Sequence, residues 1–258
     1  AFKAAKRVID EGGYAVGTKS DLTGGMNSLD KQNVMWGAGI QVADQAGGYA
    51  GFFTHMDNKE GAYAKSAPKL ISKQLYNRIS ATDIRRDWWD PSDKESPYVS
   101  KKFSFANVAS FLGDYIYMRV EEMYFTAAEA ALRLDDLKSA RELMNTVMAE
   151  RDPGYSANNR SGTLLGATTT TWTGSFLENI LTHRRIELWG EYGRLFDVRR
   201  LGQGIDRRTD DGFSEECISM MNRRNVNITK ADTYDWVLTI PKAELDANPN
   251  INEEDQNP

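Results

Sequence analysis

The chain predicts a mainly α fold in which helical hairpins stand beside an irregular, loop-rich subdomain. Three observations carry that expectation. Around the run MRVEEMYFTAAEAALRL, the residues Ile116, Val120, Tyr124, Ala127, Ala128, Ala131 and Leu134 recur at steps of three and four. That is the spacing of one face of an α-helix. Asp135-Asp136 then breaks the stripe, and a second begins at once with Leu137, Ala140, Met144 and Val147. A turn that short admits only antiparallel neighbours. Finally, from Tyr14 to Ser66 the periodicity disappears while aromatic residues remain frequent.

The hairpin has a more specific spacing than two generic helices. Tyr124, Ala127, Ala128 and Ala131 are answered by Ala140, Met144 and Val147, with Pro153 near the end. A tetratricopeptide repeat orders bulky and small residues in this way and closes on a proline. Small residues let the helices approach, and the larger ones fill the space between them. One full copy is visible, whereas about three normally make an independent solenoid. Either partner repeats lie outside this chain, or the hairpin packs on something else.

Taken in order, Phe2, Ala5, Val8 and Ile9 make a short helix stopped at Gly12-Gly13. The opening AFKAAKRVIDEGGY has no lead-in, which reads as the end of a repeat helix pair and makes residues 1–258 the C-terminal portion of a longer protein. A loop region as long as Tyr14–Ser66 is usually functional or disordered, and its rings argue against disorder. Leu70, Leu75 and Tyr76 predict a helix before the run Asp83 to Trp89. Pro91 to Pro97 is turn-rich, and a strand is expected around Lys101 to Phe105. Asn158 to Gly174 is a polar loop, followed by a long helix from Ser175, a good N-cap, to Leu201, with Gly202 just past its end. Ile205 to Lys230 is charged and irregular. Tyr234 to Ile240 reads as a strand stopped by Pro241, and the tail as turn-rich and extended. The expected organisation is therefore the repeat end at 1–13, a loop-rich, ligand-binding region at 14–110, and the hairpin, long helix and tail at 111–258.

A length of 258 residues permits a sizeable core, and the net charge of −5 offers no electrostatic footprint for nucleic acid. No run of about 18 apolar residues occurs, so no helical membrane span is expected. Cys217 is the single cysteine, which excludes an intrachain disulfide and a cysteine-based zinc cluster. His183 has no nucleophile motif around it, and His55 with Asp57 is too little for a metal site. The glycine pairs fit no phosphate-loop fingerprint. No catalytic residue, metal or cofactor is therefore expected. In the long helix, Arg184 and Glu187, Glu191 and Arg194, Arg194 and Asp197, and Asp197 and Arg200 stand three apart, so they can pair along the surface. A structural ion network tying the helix to neighbouring loops is favoured over an acid/base or anion site. Gly190 and Gly193 each cost about 1 kcal/mol relative to alanine in a helix, which predicts close packing against another backbone.

The remaining candidates are aromatic residues outside the periodic helices: Trp36, Tyr49, Phe52, Phe53, Trp88 and Trp89, with Trp172 further on. An exposed ring offers a flat apolar face to the C–H face of a sugar or to a peptide side chain. Burial beneath a loop is the competing reading for any one of them, but at least one is expected to line a ligand surface.

Several motifs in order resemble the SusD/RagB family. They are Met118-Arg119-Val120-Glu121-Glu122-Met123-Tyr124 with Ala128-Glu129-Ala130, then Ala140 and Asn145, then Arg184-Arg185-Ile186-Glu187-Leu188, Glu191, Arg194, Phe196-Asp197 and Arg199-Arg200. The ending, Ile240-Pro241 with Glu244-Leu245, Asn248-Pro249 and Gln256-Asn257, resembles the family's C-terminal signature, and Asp83-Ile84-Arg85 an earlier landmark. The resemblance implies a tetratricopeptide-containing, SusD-like fold and non-catalytic binding of a glycan or peptide. It also implies a surface-exposed outer-membrane lipoprotein, held through an N-terminal lipid not present in this chain, with a SusC-like TonB-dependent transporter as partner. Its matched motifs are mostly structural and map no ligand residue. Abundant carboxylates keep an α-helical glycoside hydrolase or lyase as the alternative, and the repeat pattern keeps a protein-interaction scaffold.

Overall fold

The structure, a computed structural model, describes residues 1–44, 50–191, 193–206, 227–228 and 239–256. They form two compact units: residues 1–44, 50–165 and 173–191 in the first, and 166–172, 193–206, 227–228 and 239–256 in the second.

In the first unit, α1 (Phe2–Glu11) is the amphipathic opening helix, and short helices follow at Lys19–Thr23 (α2), Phe52–Met56 (α3), Ala62–Ser66 (α4) and Lys73–Tyr76 (α5). The hairpin is α6 (Val120–Arg133) and α7 (Leu137–Ala149). Its turn is built as its two aspartates require. Asp135 takes the left-handed backbone, φ 61°, which aspartate tolerates better than most residues. Asp136 then caps α7 by accepting the Ser139 N–H at 3.0 Å. Ala127, Ala128, Ala131, Ala140, Met144 and Val147 are all buried, so the small residues do face the contact. Helix α6 is central: it packs on α1, on α7 and on α8 (Phe176–Glu187), and Phe125 and Leu132 are buried as well. Two members of the predicted stripe behave differently. Leu134 is 68% exposed at the turn, and Ile116 precedes the helix on a strand.

The supposed loop from Tyr14 to Ser66 contains a strand, β1 (Val34–Ala38), which pairs antiparallel with β4 (Tyr115–Arg119). This pairing crosses the boundary drawn at residue 110. A second two-stranded ladder joins β2 (Trp89–Asp90) to β3 (Val99–Ser100), so the strand expected at Lys101–Phe105 lies just earlier. For β1, long-range pairing with β4 and not propensity selects the strand.

Ser175 caps α8 by accepting the Glu178 N–H at 3.1 Å, as its position predicts. The long helix does not continue to Leu201, however. It stops at Glu187, and a separate α9 (Arg194–Arg200) follows in the second unit. Gly190 at φ 74° and Gly193 at φ 98° sit in the left-handed region, which ends a right-handed helix. Their role is thus the turn. A Cβ on Gly190 would also lie 2.7 Å from the Phe103 ring and 2.8 Å from the Met56 methyl, so side chains, not a backbone, crowd it.

The second unit also holds β5 (Ile205–Asp206) paired with β6 (Asn227–Ile228). Its tail is more regular than expected, with α10 at Lys242–Ala247 and a 3-10 turn at Glu253–Asp255. Gln256 fastens the tail through its side chain, accepting the Ile240 N–H at 2.7 Å and donating to the Ile240 carbonyl at 3.0 Å. The strand predicted at Tyr234–Ile240 and most of Ile205–Lys230 lie outside the described residues. Among the described residues, no helix is long and apolar enough to cross a membrane.

The close helix contact is testable. Ala128→Leu should overpack the hairpin and cost about 1–3 kcal/mol in chemical denaturation, whereas Leu134→Ala should change stability by no more than about 0.5 kcal/mol. An unchanged midpoint for Ala128→Leu would show that the helices do not meet there.

Candidate ligand-binding site

The α8 region carries the expected structural ion network tied to neighbouring segments, but its charges do not pair along the surface. They turn inward and form a buried cluster with charges drawn from distant segments. Glu187, at the end of α8, is fully buried. One of its oxygens accepts from Arg85 Nη1 at 3.1 Å and Arg151 Nε at 2.9 Å. The other accepts from Arg119 Nη1 at 2.9 Å and Arg151 Nη2 at 3.0 Å. Four donors occupy the roughly four lone-pair positions of a carboxylate. Around this centre, Asp83 holds Arg85 at 2.6 Å, and Glu121 accepts from Arg151 at 2.8 Å, Asn33 at 2.9 Å and the Gly17 N–H at 2.9 Å. Glu191 accepts from Lys102 at 2.6 Å and from Arg119 Nη2 and Nε at 2.7 and 2.8 Å. Arg85, Lys102, Arg119 and Arg151 therefore balance Asp83, Glu121, Glu187 and Glu191. Of the predicted three-residue pairs, Asp197 with Arg200 forms, at 2.8 Å, while Arg184 turns to Glu122, also at 2.8 Å.

The cluster dictates protonation. Burial opposes charge on Glu187, but Arg151, Arg119 and Arg85 outweigh it and hold the carboxyl well below the ordinary range. Burial likewise works against Glu191, and Arg119 with Lys102 overcomes it. Lys102 is pushed down to about 8 by burial, despite Glu191 beside it. His183 lies 2.9 Å from Arg85 Nη2 through Nδ1 and edge-on to Tyr155. Burial and then the Arg85 charge hold its imidazole well below its usual value. An arginine can only donate, so Nδ1 is occupied as an acceptor and His183 is a structural member of the cluster.

The sign of each shift gives a pH dependence. A depressed carboxyl stabilises the fold above its unfolded value and loses that contribution as the pH falls. Unfolding midpoints should therefore drop as the pH goes from about 5 to about 3, less steeply in Glu187→Gln. That variant should itself cost about 3–5 kcal/mol by stranding buried arginines. Lys102 gives a slope of the same sign at higher pH, although its burial is a cost and not a gain. The unfolded chain binds its proton more tightly, so the cost of burying it is relieved as the pH rises from about 8 to 10.5. Lys102→Met should remove that upward component from the stability–pH curve.

Beside the cluster lies an open cavity of about 460 Å³, lined by Met26, Trp36, Phe52, Phe103, Glu191 and the β4 residues Tyr115 to Met118. Its size falls in the usual small-ligand range. The β1–β4 register places Trp36 opposite Met118. Trp36, 64% exposed, meets the 45% exposed Tyr117 edge-to-face at 5.1 Å. Phe52 is half-buried, stands edge-on to Phe103 at 5.2 Å and donates its backbone N–H to the Tyr115 hydroxyl at 3.3 Å.

The six sequence candidates therefore separate. Trp36 and Phe52 come together at this cavity. Phe53, Trp88 and Trp89 are buried in the core and offer no ring face to solvent, because the short strands and turns around them pack into a second apolar cluster. Tyr49 lies outside the described residues, and Trp172, half-buried, belongs to the second unit. Sequence reasoning missed Tyr115, Tyr117 and Glu191 as cavity residues. The alternation Tyr115-Ile116-Tyr117 is a strand signal that the helical stripe beginning at Ile116 concealed.

Known proteins give the same frame. The model of the SusD family matches residues 94–258, more than half of the chain. Among solved structures, a SusD-like carbohydrate-binding protein from Bacteroides vulgatus superposes with a TM-score of 0.73 at 23% identity, covering 97% of this chain and 54% of its own. A SusD superfamily protein from Bacteroides thetaiotaomicron gives 0.71 at 23%, covering 100% and 56%. The surface glycan-binding protein A of Bacteroides uniformis gives 0.59 at 17%, covering 99% and 55%. These likenesses concern the fold, and the chain spans about half the length of the solved relatives it matches. No curated protein sequence matches it. On the family match and the shared helical fold, the chain belongs to the SusD family.

Proposed function

We propose that this chain is the ligand-holding part of a surface lipoprotein that captures a glycan, or a peptide, and passes it to a SusC-like TonB-dependent transporter in the outer membrane. The observation that supports capture most directly is the open cavity carrying Trp36 and Tyr117. An apolar, ring-lined hollow of this size suits the C–H face of a sugar or an apolar side chain. Two of the solved relatives bear descriptions as carbohydrate- or glycan-binding proteins, which favours the glycan. Trp36 and Phe52 are the binding residues of this reading.

Binding without turnover fits the carboxylates near the cavity. A glycosidase needs a carboxylic acid with a raised pKa. Glu187 and Glu191 are instead held ionised by their arginine and lysine partners, which leaves neither with a proton to give.

Calorimetric titration with oligosaccharides and peptides, followed by chromatography of each mixture, tests this. Trp36→Ala should weaken binding about tenfold or more with an unchanged far-ultraviolet dichroism spectrum, and the ligand should be recovered intact. Cleavage products would replace capture with hydrolysis.

A further inference from the structure

The cavity is largely apolar and, among the described residues, carries a charged side chain at one corner only, and that corner restricts what can lie there. Resting on the reading that the cavity holds a saccharide, we propose that Glu191 selects neutral sugars: its unfilled lone pair accepts a ligand hydroxyl, and its charge repels saccharides bearing carboxylate or sulfate groups.

The hydrogen-bond inventory carries the argument. Glu191 receives two donors on Oε1, from Lys102 and Arg119 Nη2, and one on Oε2, from Arg119 Nε. A carboxylate has about four acceptor positions, so one on Oε2 is unused among the described residues. The nearby cations have nothing left to offer. Lys102 spends its three donors on the carbonyls of Glu187 and Trp189, at 2.7 and 2.9 Å, and on Glu191. Arg119 makes four hydrogen bonds, to both oxygens of Glu191 and to the carboxylate and carbonyl of Glu187, and its Nη1 also stands 3.2 Å from Glu121 as an ion pair. Both cations are buried, whereas Glu191 reaches the cavity wall. The hollow therefore presents a charged acceptor without a free cationic donor. A sugar hydroxyl satisfies that corner, and an anion meets like charge in a partly desolvated place. The other polar atoms on the lining side chains, apart from the tyrosine hydroxyls, belong to the neutral indole of Trp36.

The test pairs neutral hexose oligosaccharides with hexuronate oligosaccharides of the same linkage and length, each titrated at low and at high salt. The neutral member should bind about tenfold tighter or more at low salt, and the gap should shrink at high salt because screening weakens like-charge repulsion. Glu191→Gln uncovers the charges of Lys102 and Arg119, so it should narrow or invert the preference. The salt series on the unmodified protein decides the matter should that variant not fold. Equal or tighter hexuronate binding, lost in Trp36→Ala, would overturn the charge selection and leave saccharide capture standing. A preference insensitive to salt would overturn the assignment to Glu191. Failure of every saccharide to bind would overturn the capture reading itself, and this inference with it.

Discussion

Glu187 is the point to which most of the first unit is tied. Its carboxylate accepts from Arg85, 102 residues away, from Arg119, 68 away, and from Arg151, 36 away. Those arginines come from a 3-10 helix at Ile84–Trp88, from the end of β4 and from the chain just past α7. One side chain at the end of α8 thus fixes the relative positions of a 3-10 helix, a strand and a helical hairpin. The cluster is not a cheap source of stability, since desolvating eight charges offsets most of their attraction. Its effect is geometric. Each member is satisfied only when all the others are in place, and a partial arrangement leaves a charge buried without a partner.

That constraint reaches the cavity through two residues. Arg119 ends the strand that supplies Tyr115 and Tyr117, and it grips Glu191 with two parallel N–H bonds. Lys102 closes the carbonyl end of α8 and stands over the rings of Trp88 and Phe103, 4.5 and 5.1 Å from their centroids. The aromatic wall and the acidic corner are therefore held by the same buried ions. This is the arrangement a preformed site requires, in which the groups that meet a ligand are positioned by groups that do not.

The hairpin was legible because its signals are local. Alanines at steps of three and four, an Asp-Asp turn and a serine cap act within a few residues of themselves, so the sequence displays the cause directly. The end of α8 was not legible in the same way. Glu187, Leu188 and Glu191 continue a good helical pattern, and the left-handed backbone at Gly190 and Gly193 breaks it. The strands were hidden for a related reason. β1 exists because β4 pairs with it across some eighty residues of chain, and its own run, with Gly37 inside it, has little strand propensity.

The site divides along the same line. From the sequence alone came the helical class, the family signature, and the expectation that rings outside the periodic helices would include a ligand surface, since those depend on composition and on short spacings. Which rings are exposed depended on burial, which no local pattern encodes: Trp36 stays open beside the half-exposed Tyr117, while Trp88 and Trp89 sink into the core one turn from Arg85. Likewise, a carboxylate three residues from an arginine reads as a surface pair until the fold supplies buried partners. Tertiary structure alone decided that Glu187 would be the centre of the fold and Glu191 the polar corner of its cavity, because both roles rest on charges brought together from distant parts of the chain.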